Sequence, residues 1–270
     1  TTDHFNKNNY SISMKPGKLT ITPNTSTVTL TANNVERVYD GTALTSTAIT
    51  SEGLPGEMTV SVTTDGTLTN VGAVDNNVTS YTILDSAGTD VTKYFSDVIT
   101  VPGELTITKR SVTLTSHGAE KAYDGTALTA PDVTVNGGFV GGEVSDIRAT
   151  GTITKVGRVT NKITYTTHDG FIAGNYDIET NEGILVVTPN TTAITIQADN
   201  ASKTYDGKAL SSNQYTVSNL PDGFQVSATT AGSITDVGMT ANTITGYQIF
   251  NTNNNKEDVT DQFSGVGQKN

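Results

Sequence analysis

Cysteine and tryptophan are missing from this chain, and histidine and methionine occur three times each. Without cysteine there can be no disulfide, no thiolate zinc site and no thiol nucleophile. The three histidines, His4, His117 and His168, fall at unrelated places and have no serine or acid partner in a hydrolase motif. No zincin, phosphate-loop or dinucleotide signature occurs. Nor does any apolar run approach the roughly 20 residues that cross a bilayer, and the start lacks a leader pattern. Basic residues are scarce: 16 Lys and Arg face 27 Asp and Glu, a net charge of −11. That deficit argues against nucleic acid and against an anionic membrane surface as partners. Hydrophobic residues (34%) and charged residues (16%) are both few for a globular enzyme. Neither a cofactor nor a metal is expected.

Threonine is what the chain has in excess, 51 of 270 residues. β-Branched side chains favour pleated, half-buried strands and depress helix. Period-two alternation is explicit in Thr27–Val28–Thr29–Leu30–Thr31, Leu19–Thr20–Ile21–Thr22 and Leu105–Thr106–Ile107–Thr108. Each pattern predicts one apolar face turned inward and threonines turned out.

Three internal copies organise the sequence. Each opens with a Tyr-Asp-Gly mark: Tyr39–Asp40–Gly41, Tyr123–Asp124–Gly125 and Tyr205–Asp206–Gly207. A second mark ends at Gly72, Gly157 and Gly238, where a valine precedes each glycine. A third is a tyrosine within a strand-like run, Tyr81, Tyr165 or Tyr247, always 42 residues after the first tyrosine. The expected division is a closing strand of a preceding repeat in 1–25, repeats in 26–109 and 110–190, and a third repeat in 191–270. That third repeat lacks the closing strand that GELTITK and GILVVTP supply to the first two. The spacing from Asn9–Tyr10 to Gly17 matches that from Asn175–Tyr176 to Gly183. The chain therefore reads as a window on a longer array, cut out of register with its repeats. Short linkers containing Pro23 and Pro189 imply restricted hinges and an extended rod.

Asp-Gly after tyrosine has a mechanical reading: glycine takes a positive-φ turn position, and aspartate bonds the backbone two residues on. The valine-linked glycines are expected at a bend or bulge, and Tyr81, Tyr165 and Tyr247 in the core. One aspartate per copy is too few ligands for Ca²⁺. Residues 251–261 read as a solvated loop, and GGFVGGE (residues 137–143) as a turn. Arg37 occupies the position of Lys121 and Lys203, which excludes a repeated isopeptide bond there. Phe171 and Tyr215, each confined to one copy, are the candidates for ligand contact.

Taken together, [KR]-x-YDG-x-[AL], G-[TS]-[IL]-T-x-VG and the NY…G-x-L-x-[IV]-T close resemble the YDG/MBG-type tandem repeats of bacterial surface, adhesin-like proteins. The resemblance covers nearly the whole chain. It implies a non-enzymatic, extracellular array acting as a stalk or spacer in cell adhesion, with export and anchoring signals elsewhere. It offers no catalytic residues. The expected fold is all-β, a tandem array of Ig-like antiparallel β-sandwich domains, with β-grasp-like repeats as the competing fold. The alternative function is that the repeats themselves bind host glycan, mucin or a host surface protein. The offset cut adds a further expectation: an unpaired edge in the third repeat and head-to-tail self-association by strand donation from residues 17–22.

Overall fold

The computed structural model describes residues 6–269. The structure is built of strands, several of them on the alternating patterns above, and the helical turns are single 3₁₀ turns. Repeat 1 contains β1 (Val28–Ala32), β2 (Val35–Val38), β3 (Ile49–Glu52), β4 (Thr59–Thr64), β5 (Gly72–Asn76), β6 (Val78–Leu84), β7 (Val98–Val101) and β8 (Gly103–Thr108). Repeat 2 matches it strand for strand: β9 (Arg110–Ser116), β10 (Ala119–Ala122), β11 (Val133–Asn136), β12 (Val144–Ala149), β13 (Gly157–Thr160), β14 (Ile163–Thr167), β15 (Tyr176–Asn181) and β16 (Ile184–Thr188). Repeat 3 has β17 (Ile194–Ala198), β18 (Tyr215–Ser218), β19 (Phe224–Ala231), β20 (Thr243–Asn251), β21 (Glu257–Asp258) and β22 (Val266–Lys269).

Each complete repeat consists of small mixed sheets and forms no closed barrel. In repeat 1 they run β3-β1-β7, β2-β8-β5 and β4-β6; in repeat 2, β11-β9-β15, β10-β16-β13 and β12-β14. A purely antiparallel arrangement is not what forms. β1 pairs antiparallel with β3 but parallel with β7, and β8 pairs parallel with β2 but antiparallel with β5. A two-residue period reports which face is buried and carries no strand direction. The parallel pairs arise because β7 and β8 return after a crossover through most of the repeat.

Alternation places the core. β1 is buried at Val28, Leu30 and Ala32 and half-buried at the threonines between them. β8 contributes Leu105 and Ile107, and β16 contributes Leu185 and Val187, all at most 1% exposed. Tyr81, Tyr165 and Tyr247, expected in the core, are half-buried; the fully buried positions beside them are Ile83 and Ile249.

Residues 17–22 do not form the strand that their pattern predicts. Leu19 and Ile21 are fully exposed, and the segment pairs with nothing among the described residues. In the complete repeats the closing strand lies between two neighbours, and residues 17–22 have no strand beside them among the described residues. Residues 1–5, the start of the expected domain 1–25, lie outside the described residues, and His4 with them.

The chain divides into two compact units, Thr1–Thr108 and Lys109–Asn270. Repeat 1 is the folded body of the first. Repeats 2 and 3 share the second.

Candidate functional site

The repeated marks converge on one local structure. Gly41, Gly125 and Gly207 have φ of +82°, +81° and +80°, a region closed to most side chains. The aspartate before each glycine accepts a backbone N–H two residues on, from Thr42 (2.9 Å), Thr126 (2.9 Å) and Lys208 (3.0 Å). A cation two residues before the tyrosine then pins the turn. Arg37–Asp40 (3.2 Å), Lys121–Asp124 (2.7 Å) and Lys203–Asp206 (2.8 Å) are ion pairs, and the same cations donate to the carbonyls of Thr42, Thr126 and Lys208. Arginine and lysine both serve here because the task is to donate from a positive end. The backbone N–H of Thr42 is the main influence holding the Asp40 carboxyl below its ordinary range, and the Lys203 ammonium is the main one at Asp206.

What differs is the tyrosine. Tyr39 and Tyr123 are 3% and 2% exposed, whereas Tyr205 is 64% exposed. Within the second unit the reason can be read residue by residue. The Tyr123 ring meets Phe224 (centroids 5.8 Å apart) and Phe263 edge-on (5.8 Å), both from repeat 3. It joins the same apolar cluster as Ile194, Ile196 and Ile249. Burial raises the pKa of its hydroxyl, opposed by a hydrogen bond with Asn251. The turn of repeat 2 is thus a plug in the wall of repeat 3.

Polar contacts surround the plug. The Val156 N–H donates to Gln262 Oε1 (2.6 Å), Lys155 pairs with Glu257 (2.5 Å), and Asn190 Nδ2 donates to the Tyr123 carbonyl (2.8 Å). Gly125 is required twice over, since a Cβ there would also press on the Asn251 side chain. Asn251 and Glu257 lie in the stretch read from sequence as a solvated loop. Asn251 is 4% exposed and Glu257 is half-buried, so that reading fails at both. The aromatic that follows the 3₁₀ turn recurs as Phe95, Tyr176 or Phe263, and in repeat 3 it is Phe263 that meets the plug.

Gly72 and Gly157 open β5 and β13 at φ of +152° and +153°. Gly238 opens no strand, and its neighbours Val237 and Met239 are 88% and 99% exposed. Gly137, Gly138 and Gly142 take positive φ around Phe139, whose ring packs on Tyr165, Phe171 and Tyr176. Phe171 stacks on Tyr176 at 5.6 Å, and the Tyr215 hydroxyl donates to the Val226 carbonyl (3.0 Å), so both ligand candidates are engaged within their own repeats. His168 Nε2 lies 2.7 Å from Ser145 Oγ, a contact that belongs to no hydrolase motif. Ser145 is half-buried in β12 and His168 is exposed just after β14, and no carboxylate bonds the other ring nitrogen among the described residues. His117 Nε2 lies 3.1 Å from Thr134 Oγ1. The described residues hold no cluster of three or more acids or histidines placed to bind a metal ion.

No protein-family model matches the chain, and neither a curated protein nor a solved structure matches it.

Proposed function

We propose that the chain is a non-enzymatic, extracellular repeat region of a bacterial surface protein, acting as a stalk or spacer in cell adhesion. Its repeats are read as Ig-like sandwiches, with β-sheets that contain no α-helix among the described residues and so speak against a β-grasp unit. The observation that carries the proposal is the joint in the second unit. A spacer has to transmit position, and its weakest points are its linkers. Here the linker Pro189–Asn190 is backed by a buried aromatic plug, an ion pair and two side-chain–backbone bonds. Two repeats joined in this way reorient as one body. Surface threonines and net acidity favour hydration and mutual repulsion of neighbouring stalks. The same turn recurs in every repeat, as expected where tandem units are selected for stacking.

The deciding experiment is a glycan, mucin and host-matrix binding screen on the folded chain, paired with NMR relaxation of repeats 2 and 3. The spacer reading expects no saturable binding and a single rotational correlation time for the two repeats. Saturable binding, or two independent correlation times, overturns it.

A further inference from the structure

We propose that repeats 1 and 2 are built to bear tension along the chain, and that what bears it is one continuous parallel ladder between the strands that enter and leave each repeat. The inference rests on strand register within each repeat. It holds whether the chain is a spacer or itself binds a ligand.

The ladder has two halves in one register. In repeat 1, β1 runs parallel to β7, with Val28 facing Val98 and Thr31 facing Val101. β2 then runs parallel to β8, with Val35 facing Leu105 and Val38 facing Thr108. Each residue faces the one 70 positions on, so the second half continues the first without a slip. Repeat 2 does the same at an offset of 66: Arg110 faces Tyr176, Thr115 faces Asn181, Ala119 faces Leu185 and Ala122 faces Thr188. The first half recurs in repeat 3, where β17 runs parallel to β22.

The two halves lie in different sheets, and side chains link them where the chain changes sheet. The Glu104 N–H donates to Asn34 Oδ1 (2.8 Å) in repeat 1. In repeat 2 the Gly183 N–H donates to Ser116 Oγ (3.0 Å), and that hydroxyl donates to the Asn161 carbonyl (2.6 Å). The entering and leaving strands approach so closely there that a Cβ on Gly103 or Gly183 would strike backbone at Ala32 or His117. Past the second half, the Tyr39 N–H donates to the Thr108 carbonyl (2.9 Å) and the Tyr123 N–H to the Thr188 carbonyl (2.8 Å). The ladder thus reaches the Asp–Gly turn in both repeats.

Strand direction decides how such a ladder is loaded. Tension pulls the entering strand by its first residue and the leaving strand by its last. Were the pair antiparallel, those points would lie at one end, and the bonds would open one at a time. In a parallel pair they lie at opposite ends, so the strands part only by sliding, and the bonds of both halves give together. Parallel bonds are slightly weaker singly; the strength comes from loading them at once. The core opposes sliding as well. Leu30, Leu105 and Ile107, like Leu114, Leu185 and Val187, are at most 1% exposed, and a slip of one residue would put threonines in their place. While the ladder holds, residues 39–97 and 123–175 carry none of the load, including the antiparallel pairs β4–β6 and β12–β14. Little slack follows. Only Pro189 separates Thr188 from Asn190, whose N–H donates to the Gln262 carbonyl (2.9 Å) and whose carbonyl accepts the Ser264 N–H (2.9 Å).

The experiment is single-molecule force spectroscopy on the full chain, held in two ways. The chain has no cysteine, so introduced cysteines fix the points of attachment. Handles at the two ends load the ladders in shear. Handles at Gly141→Cys and Asp169→Cys, exposed positions beside the paired ends of β12 and β14, unzip that antiparallel pair. End-to-end pulling is expected to rupture repeats 1 and 2 each in a single step, at severalfold the unzipping force. Forced unfolding reads the barrier and not the equilibrium stability, which separates two kinds of variant. Asn34→Ala and Ser116→Ala, which cut the links between the halves, are expected to lower the rupture force of repeats 1 and 2 respectively. Val62→Ala, in β4 and off the ladder, is expected to lower the melting temperature of repeat 1 and to leave its rupture force nearly unchanged. Rupture of repeats 1 and 2 at or below the unzipping force overturns the proposal. So does a Val62→Ala chain that loses as much force as Asn34→Ala. Either result leaves the outcome of the binding screen untouched, so this inference and the spacer reading fail separately.

Discussion

Repeats 2 and 3 lie in one compact unit and share their turn chemistry, yet the same tyrosine is 2% exposed in one and 64% exposed in the other. The Asp–Gly turn, its cation and its φ are intact in both. The turn is therefore built locally, by residues within six positions of one another, and needs no neighbour. Burial of the tyrosine is different. It requires the wall of Phe224, Asn251 and Phe263 that the following repeat provides. A second contrast separates the same two repeats: β10 and β13 each pair with β16 in repeat 2, whereas the residues of repeat 3 that match β10 and β13, 201–204 and 238–241, are in no strand. Local sequence sets the turns, and non-local partners set which surfaces close.

The sharpest way to break this comparison is to remove the plug. Tyr123→Ala deletes a fully buried aromatic and is expected to destabilise the second unit by about 3–5 kcal/mol. It should also split its calorimetric transition in two, as repeats 2 and 3 uncouple. Tyr205→Ala, the same substitution on an exposed ring, is expected to stay within about 0.5 kcal/mol in dilute, unassociated protein. Equal effects at the two positions would mean that the tyrosine serves its own repeat and not the joint.

A smaller effect sharpens the contrast between the closed and open sheets. Asn161 is completely buried and donates from Nδ2 to the His117 and Ala130 carbonyls, at 2.9 and 2.7 Å. Asn161→Ala leaves those groups without a partner and is expected to cost about 1–3 kcal/mol. Asn242 makes a single 3.2 Å bond to the Asp199 carbonyl, and Asn242→Ala should cost clearly less. Urea unfolding followed at the two repeats measures the difference.

These contrasts also show what could be read from the chain alone. The all-β class, the repeat marks and the Asp–Gly turn were legible because each depends on residues close in sequence or on a strict period. Strand direction was not legible, since alternation is the same in a parallel and an antiparallel pair. Nor was the joint: Tyr123 and Phe263 are 140 positions apart, and nothing in the spacing of either names the other. Residues 251–261 misled for the same reason, because a polar run reads as solvated until Tyr123 and Lys155 are seen to cover it. Residues 17–22 misled in the opposite direction. Their pattern is that of a buried strand, but pattern alone does not supply two neighbours.

The smallest effect concerns the charge pair on the joint. Glu257 is held below its ordinary 4.5, first by its bond with Lys155, and Lys155 is held above its ordinary 10.5 by the same bond. A carboxylate whose pKa falls on folding contributes stability above its unfolded value and loses it as pH drops through the folded one. A lysine whose pKa rises contributes below its unfolded value and loses it as pH climbs through the folded one. The pair therefore supports the joint between these limits and lets go at both extremes. Lys155 is mostly exposed, so water screens the pair, its contribution is small, and salt weakens it further. Lys155→Met is expected to flatten the acid limb of the melting temperature of the second unit below the ordinary 4.5 of Glu257 and to leave neutral stability almost unchanged. The aligned residues Asn70 and Asp236 show that a cation at this position is not general to the repeats. An acid limb identical in Lys155→Met would assign the pH response to the other carboxyls of the second unit held below their ordinary range, Asp124, Asp206 and Asp258.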